Sequence, residues 1–248
     1  MVKDGLIALA DGRITAGTQV TSATKAVILG DPENEIVIMS SGLRSLRDKT
    51  LTYMRHSMQR RGVPYSSIYE AVTDYSAQLR EVAKDERAIL ENAKLSFNLH
   101  AIIYGQLADD SEPSLCLVYP EGNWLEVDTL TPYLSIGETT YGKPILDRAL
   151  NSDTLLQNAV KLAYLSFDST RNSAADVGFP IDILTYSKSE RKWREAHYEH
   201  DNLIEQRQWW NKNLTELATK IPDDLWADSL IPPAPLKIVE NGSPNRRR

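Results

Sequence analysis

Asp4-Gly5-Leu6-Ile7-Ala8-Leu9-Ala10-Asp11-Gly12-Arg13-Ile14-Thr15-Ala16-Gly17 opens the chain with a turn dipeptide, an apolar run and a second turn. Asp-Gly followed at once by alternating and continuous apolar residues is a strong short-range signal for a hairpin of two antiparallel strands. The strand after the turn is therefore expected over residues 5–11. Only Met1, Val2 and Lys3 stand before it. The first strand of this hairpin is then either a stub or one that the written chain enters in its middle.

Working outward, Glu35-Ile36-Val37-Ile38-Met39 reads as a buried strand, and the serines and glycine at 40–42 are expected to open a helix. Leu43, Leu46, Thr50, Met54 and Met58 recur at helical spacing, and Arg61-Gly62-Val63-Pro64 closes the element. Ile68, Val72, Tyr75, Leu79, Val82 and Ile89 mark a second, longer helix. Strands are expected again at 97–104, 114–119 and 124–127, with a short one at 134–137. Pro144 sits in the favoured first turn of another helix, and Ser152 is expected to cap a long one carrying Leu155, Leu156, Ala159, Leu162, Ala163 and Phe167. Residues 180–186 read as a strand and 196–219 as a charged helix. A single domain is expected over residues 1–228, followed by a Pro-rich, extended or disordered tail over 229–248 that contains Pro232-Pro233-Ala234-Pro235. Strands and helices come in blocks joined by short connections. That order favours an α+β sandwich, with helices on both outer faces, over a doubly wound parallel sheet.

Composition narrows the function. The net charge of −6 argues against nucleic acid as the main partner, because phosphate binding needs a basic face. No apolar run approaches the roughly 18 residues of a membrane span, and the N-terminus carries no secretory pattern. Cys116 is the single cysteine, which excludes a disulfide framework and a thiolate metal site. It reads as a packed core thiol in a buried strand. A cytoplasmic protein is expected. No phosphate loop, dinucleotide fingerprint or G-x-S-x-G elbow is present. His197 and His200 stand three apart without a third ligand at recognisable spacing, so an exposed polar turn is favoured over a metal site.

Four stretches, in order, resemble the proteasome-type peptidases, and within them the bacterial Anbu group. They are residues 5–17; Ser40-Ser41-Gly42-Leu43; Ile136-Gly137-Glu138-Thr139-Thr140-Tyr141-Gly142-Lys143-Pro144-Ile145-Leu146-Asp147; and Leu165-Ser166-Phe167-Asp168-Ser169-Thr170 followed by Val177-Gly178-Phe179-Pro180-Ile181-Asp182-Ile183-Leu184. The closing Trp209-Trp210 to Leu225-Trp226 stretch is also Anbu-like. The resemblance implies a four-layer αββα sandwich of the N-terminal nucleophile hydrolase type. It implies threonine-type peptidase activity on peptide or unfolded protein, with no metal and no organic cofactor, in a homo-oligomeric ring or open helical ring. In that chemistry the hydroxyl of an N-terminal threonine attacks the scissile carbonyl and its own amine takes the proton.

Carried over residue by residue, Asp11 stands at the family's aspartate, Lys25 at its lysine and Gly42 at its oxyanion-hole glycine. Asp168 and Ser169 lie in the segment that supplies a second aspartate and a serine. Glu138 replaces a serine of the ordinary proteasome. The family's nucleophile falls roughly six residues before Met1, so it is expected upstream of the written start. Two other readings stay open: a catalytically inactive scaffold subunit, and, more remotely, an amide hydrolase acting on a small molecule. Trp209-Trp210 reads equally as core packing or as a subunit contact.

Overall fold

The fold is described from a computed structural model, covering residues 1–16, 19–32 and 34–222. Five strands, β1 (Gly5–Asp11), β2 (Arg13–Ala16), β3 (Gln19–Ser22), β4 (Ala26–Leu29) and β5 (Ile36–Gly42), precede two helices, α1 (Arg44–Arg61) and α2 (Ile68–Asn92). Strands β6 (Leu99–Gly105), β7 (Ser114–Val118) and β8 (Trp124–Glu126) follow, then helices α3 (Lys143–Ala149) and α4 (Leu156–Ser173), strands β9 (Ile181–Ser187) and β10 (Lys192–Tyr198), and a short 3-10 turn at His200–Leu203. These form one unit from Met1 to Ile204.

Two antiparallel sheets organise that unit. One has the order β4-β5-β6-β7-β8 and the other β1-β9-β10, while β2 and β3 pair only with each other. Side chains alternate across a strand, and here both faces are apolar. Ile36, Ile38, Ala101, Ile103, Cys116 and Val118 point to a core shared with α1 and α2. Their neighbours Val37, Met39, Ile102, Tyr104 and Leu115 meet Leu6, Ala8, Leu184 and Tyr186 of the other sheet. The outer face of that second sheet carries Ile181 and Ile183, which pack on Tyr164 and Phe167 of α4. The result is the expected α+β, four-layer αββα sandwich.

Several local expectations are corrected. The first turn closes one residue earlier than the dipeptide suggests: Val2 and Gly5 exchange backbone hydrogen bonds of 2.9 and 3.3 Å around Lys3-Asp4. Ser40–Gly42 finish β5 instead of starting a helix, because pairing with β6 continues to Gly42 opposite Leu99. Residues 134–137 form no strand; Leu134 and Ile136 pack on the inter-sheet core from a loop. Ser152 caps nothing, since Asn151 and Thr154 fold the segment into its own turn and α4 starts at Leu156. Residues 196–198, expected to start the charged helix, belong instead to β10, because Lys192–Tyr198 each pair across to β9. His197 thus lies on β10, where Nδ1 sits 2.6 Å from the buried Asp182 carboxylate, and His200 pairs with Asp201.

The second unit starts at Glu205 and contains nearly all of α5 (Ile204–Ala218). On it Trp209 is 59% exposed. The expected tail at 229–248, and Leu225-Trp226, lie outside the described residues. Among the described residues no helix is long and apolar enough to cross a membrane.

Leu79 is fully buried between α2 and the large sheet. Leu79→Ala is expected to lower unfolding free energy by about 2–5 kcal/mol in urea titration. The hydrogen bond from His197 to the Asp182 carboxylate raises the pKa of His197. A raised folded value means its contribution is fully present below the unfolded value of about 6.5 and lost as pH rises through the folded one. His197→Gln should therefore reduce stability more at pH 5.5 than at pH 8.5, read by paired denaturation curves.

Candidate active site

The inter-sheet core is apolar along its middle, so polar side chains collect where strands end. Asp11 is the last residue of β1, and Lys25 directly precedes β4 in the opposite sheet. Lys25 Nζ donates to Asp11 Oδ1 at 2.6 Å, with side-chain exposures of 25% and 15%. The Gly178 N–H approaches the other carboxylate oxygen at 3.4 Å. Asp11 is thus held from two directions, by a cation and by the loop entering β9.

Both groups face a cavity of about 480 Å³. Its walls come from Ile7–Asp11 along β1, Met39–Gly42 at the end of β5, and the loop residues 133–139. Two sheet edges border it. β1 is the outer strand of its sheet, and past the Val2–Gly5 bridge no described strand pairs with its second edge. β4 reaches only as far as Met39 opposite Ala26, so Ser40, Ser41 and Gly42 run on beyond it. The small side chains at Ala8, Ala10, Ser40 and Ser41 keep the space between these edges open.

Gly42 has φ +120°, and a Cβ there would lie 2.1 Å from the Asn98 carbonyl oxygen. Both the conformation and the close backbone approach require glycine. Leu43, the N-cap of α1, follows it immediately, so Gly42 stands at the positive end of an 18-residue helix.

The five residues singled out from sequence separate into two groups. Asp11, Lys25 and Gly42 line the cavity together. Asp168 and Ser169 lie on α4 and are not among its lining residues. Asp168 is buried and accepts from Arg171 Nη2 at 2.7 Å and Nε at 3.1 Å. Its neighbours Ser166 and Thr170 reach the cavity instead, behind Gly142. Arg13, from the opening motif, lines the same space, as does Asp176, which sequence reading passed over. Gly178 was legible only as part of a motif; its hold on Asp11 is a contact between segments 167 positions apart.

At the rim, Glu138 is held below the usual carboxylate range, first by the Thr140 side chain and then by its backbone N–H. Lys143 is held above its ordinary value, chiefly by the hydrogen bond to Asp147 and then by Tyr133. Among the described residues no group of three or more His, Cys, Asp or Glu side chains is arranged to hold a metal. The chemistry on offer is a carboxylate–ammonium pair, a helix N-terminus and two strand edges around a cavity of about 480 Å³.

The family model for the proteasome subunit matches residues 1–185. Proteasome subunit beta 1 of Pyrobaculum calidifontis is 23% identical over 193 residues, covering 77% of this chain and 89% of that protein. Among solved structures, an Anbu (Gly-1) mutant from Hyphomicrobium sp. strain MC1 superposes with a TM-score of 0.80 at 30% identity, covering 90% of this chain and 95% of that one. The helical assembly of the Anbu complex from Pseudomonas aeruginosa gives 0.81 at 29% identity, covering 94% and 96%.

The steric reading of Gly42 has a direct test. Gly62 is also left-handed, at φ +71°, but nothing lies within 4 Å of its would-be Cβ. Gly62→Ala should cost about 1–2 kcal/mol, and Gly42→Ala clearly more, both measured by chemical denaturation.

Proposed function

The chain belongs to the proteasome subunit family, and from that membership we propose that it is a threonine-type peptidase subunit whose nucleophile lies upstream of Met1. The observation that carries this reading is the register of the first turn. Val2 faces Gly5, so each residue further upstream would advance one position along β1. Continued in that register, about five or six residues before Met1 reach the level of Asp11 and Gly12. An N-terminal threonine there would sit beside the Asp11–Lys25 pair.

In the proposed reaction the threonine hydroxyl attacks the peptide carbonyl and its own α-amine accepts the hydroxyl proton. The proton then passes to the departing amine as the C–N bond breaks, leaving an ester that water hydrolyses. The Asp11 carboxylate and Lys25 ammonium orient the threonine and keep positive charge near its oxygen. The Gly42 N–H serves the developing oxyanion. Asp168 and Ser169 act from α4, through the segment that leads to Gly178, as positioning residues. Thr15, an internal residue, has no free amine and cannot take the nucleophile's part. The similar structures include a helical assembly of the Anbu complex from Pseudomonas aeruginosa and an Anbu from Yersinia bercovieri described as an ancestral beta-subunit. A homo-oligomeric, self-compartmentalising peptidase is the corresponding proposal here.

The test is to isolate the natural protein, determine its N-terminus by mass spectrometry, and assay fluorogenic peptides. A threonine start with hydrolysis is expected, and Lys25→Ala should lower the rate by about 10²-fold or more with the circular dichroism spectrum unchanged. Hydrolysis by protein with a verified Val2 start would refute the mechanism. A threonine start without hydrolysis would favour the scaffold subunit.

A further inference from the structure

The cavity wall beside Gly42 is the start of α1, and its charges are unusual for that end of a helix. Arg44 is the first residue of α1 and Arg47 the fourth, and the first turn holds no acid. Both arginines line the cavity. Cations here oppose the helix dipole, which favours carboxylates at an N-terminus. The two guanidiniums share one carboxylate: Asp48 accepts from Arg47 Nη2 at 2.8 Å and from Arg44 Nε at 3.4 Å. One net positive charge therefore remains on this wall, and the Arg47 side chain is only 13% exposed. That arrangement works against helix stability, and places where a local rule is broken in this way are expected at functional sites.

We propose that Arg44 and Arg47 make this site select an acidic side chain, aspartate or glutamate, on the substrate residue whose carbonyl is attacked. The inference rests on the peptidase reading above. There the attacked carbonyl oxygen lies at the Gly42 N–H, and Ser40–Gly42 run on past β4 as the edge along which a substrate backbone pairs. Arg44 stands two residues beyond Gly42 and Arg47 five, so the side chain next to that carbonyl is the one these arginines meet. A guanidinium presents its donors in a planar fork that fits a carboxylate. The contacts with Asp48 use Nε of Arg44 and Nε and Nη2 of Arg47, which leaves the Nη groups of Arg44 and Nη1 of Arg47 for a ligand. Other charges around the cavity do not cancel this wall. Lys25 is matched by Asp11 and Lys143 by Asp147. Glu138 accepts from the Thr140 N–H at 2.8 Å on the rim loop. Asp176 comes from the loop before β9, the side on which Arg13 lies against Gly178.

The test uses natural protein of determined N-terminus and peptides identical except for Glu, Gln or Lys at that residue. Each peptide is made twice, as a fluorogenic amide for hydrolysis and as a dye-labelled, C-terminally amidated form for binding by fluorescence anisotropy. Glu is expected to exceed its uncharged isostere Gln by about tenfold in kcat/KM and in affinity, the scale of one charge-assisted hydrogen bond, with Lys weakest. Arg44→Gln combined with Arg47→Gln should bring the Glu-to-Gln ratio close to one. Arg44→Glu, at a side chain 63% exposed, should place Lys ahead of Glu with the circular dichroism spectrum unchanged. Hydrolysis with a Glu-to-Gln ratio near one in the natural protein, or a Glu preference that survives these variants, would overturn the proposal and leave the peptidase reading standing. A Glu preference in binding without hydrolysis would support the selection and count against the peptidase reading. Failure of every peptide to bind or be cleaved would overturn both.

Discussion

The constraint from which the rest of this fold follows is that its central strands are apolar on both faces. β5 and β6 send Ile36, Ile38, Ala101 and Ile103 one way and Val37, Met39, Ile102 and Tyr104 the other. A sheet built that way cannot leave either face in water, since each buried Ile or Val side chain contributes about 1.5–3 kcal/mol through burial. One face is covered by α1 and α2, and the other by a second sheet. β9 repeats the condition with Ile181 and Ile183 outward and Leu184 and Tyr186 inward, so that sheet in turn needs α4. Four layers are the shortest closure of this pattern.

The same condition drives charge to the strand ends, and there the Asp11–Lys25 contact joins the two sheets. Asp11 belongs to the β1-β9-β10 sheet and Lys25 leads into the five-stranded one. The pair is shielded from solvent on most sides, so its Coulomb attraction exceeds that of an exposed pair, while each charge has lost hydration. Loss of either partner would leave the other partly buried and unmatched. Asp182, opposite Ala10 in the same sheet, is matched separately by His197 on β10. Neighbouring carboxylates on this sheet therefore each have their own basic partner.

Much of this was legible in the residues. The strands at 5–11 and 36–39 and the helix from Ile68 were fixed by long apolar patterns whose period is unambiguous. Asp11, Lys25 and Gly42 came from motifs, and coordinates bring all three to one cavity. What stayed hidden depends on contacts between distant segments. Residues 196–198 read as the start of a charged helix because they carry few apolar side chains; pairing with β9 decides their conformation. Ser152 has the side chain of a helix cap, but a local turn with Asn151 and Thr154 uses that segment. Gly178 supplies a backbone donor to Asp11 from 167 positions away, and no spacing rule reaches that far.

The cavity itself is a consequence of small residues meeting across two sheets. Where Leu6 and Tyr186 face Val37 and Tyr104, the layers close completely. Further along β1, Ala8 and Ala10 stand across from Ser40, Ser41 and Gly42, and about 480 Å³ remains between them. Larger apolar side chains at these positions would fill that volume and strengthen the core. The space is bordered by two strand edges, whose N–H and C=O groups need hydrogen-bond partners. An extended polypeptide satisfies such edges through its backbone, whatever its side chains. Small walls and ladder groups along both margins suit an extended chain segment, with Asp11, Lys25 and Gly42 gathered at one end. In the register proposed above, the segment preceding Met1 would satisfy the β1 edge, leaving the end of β5 as the free margin.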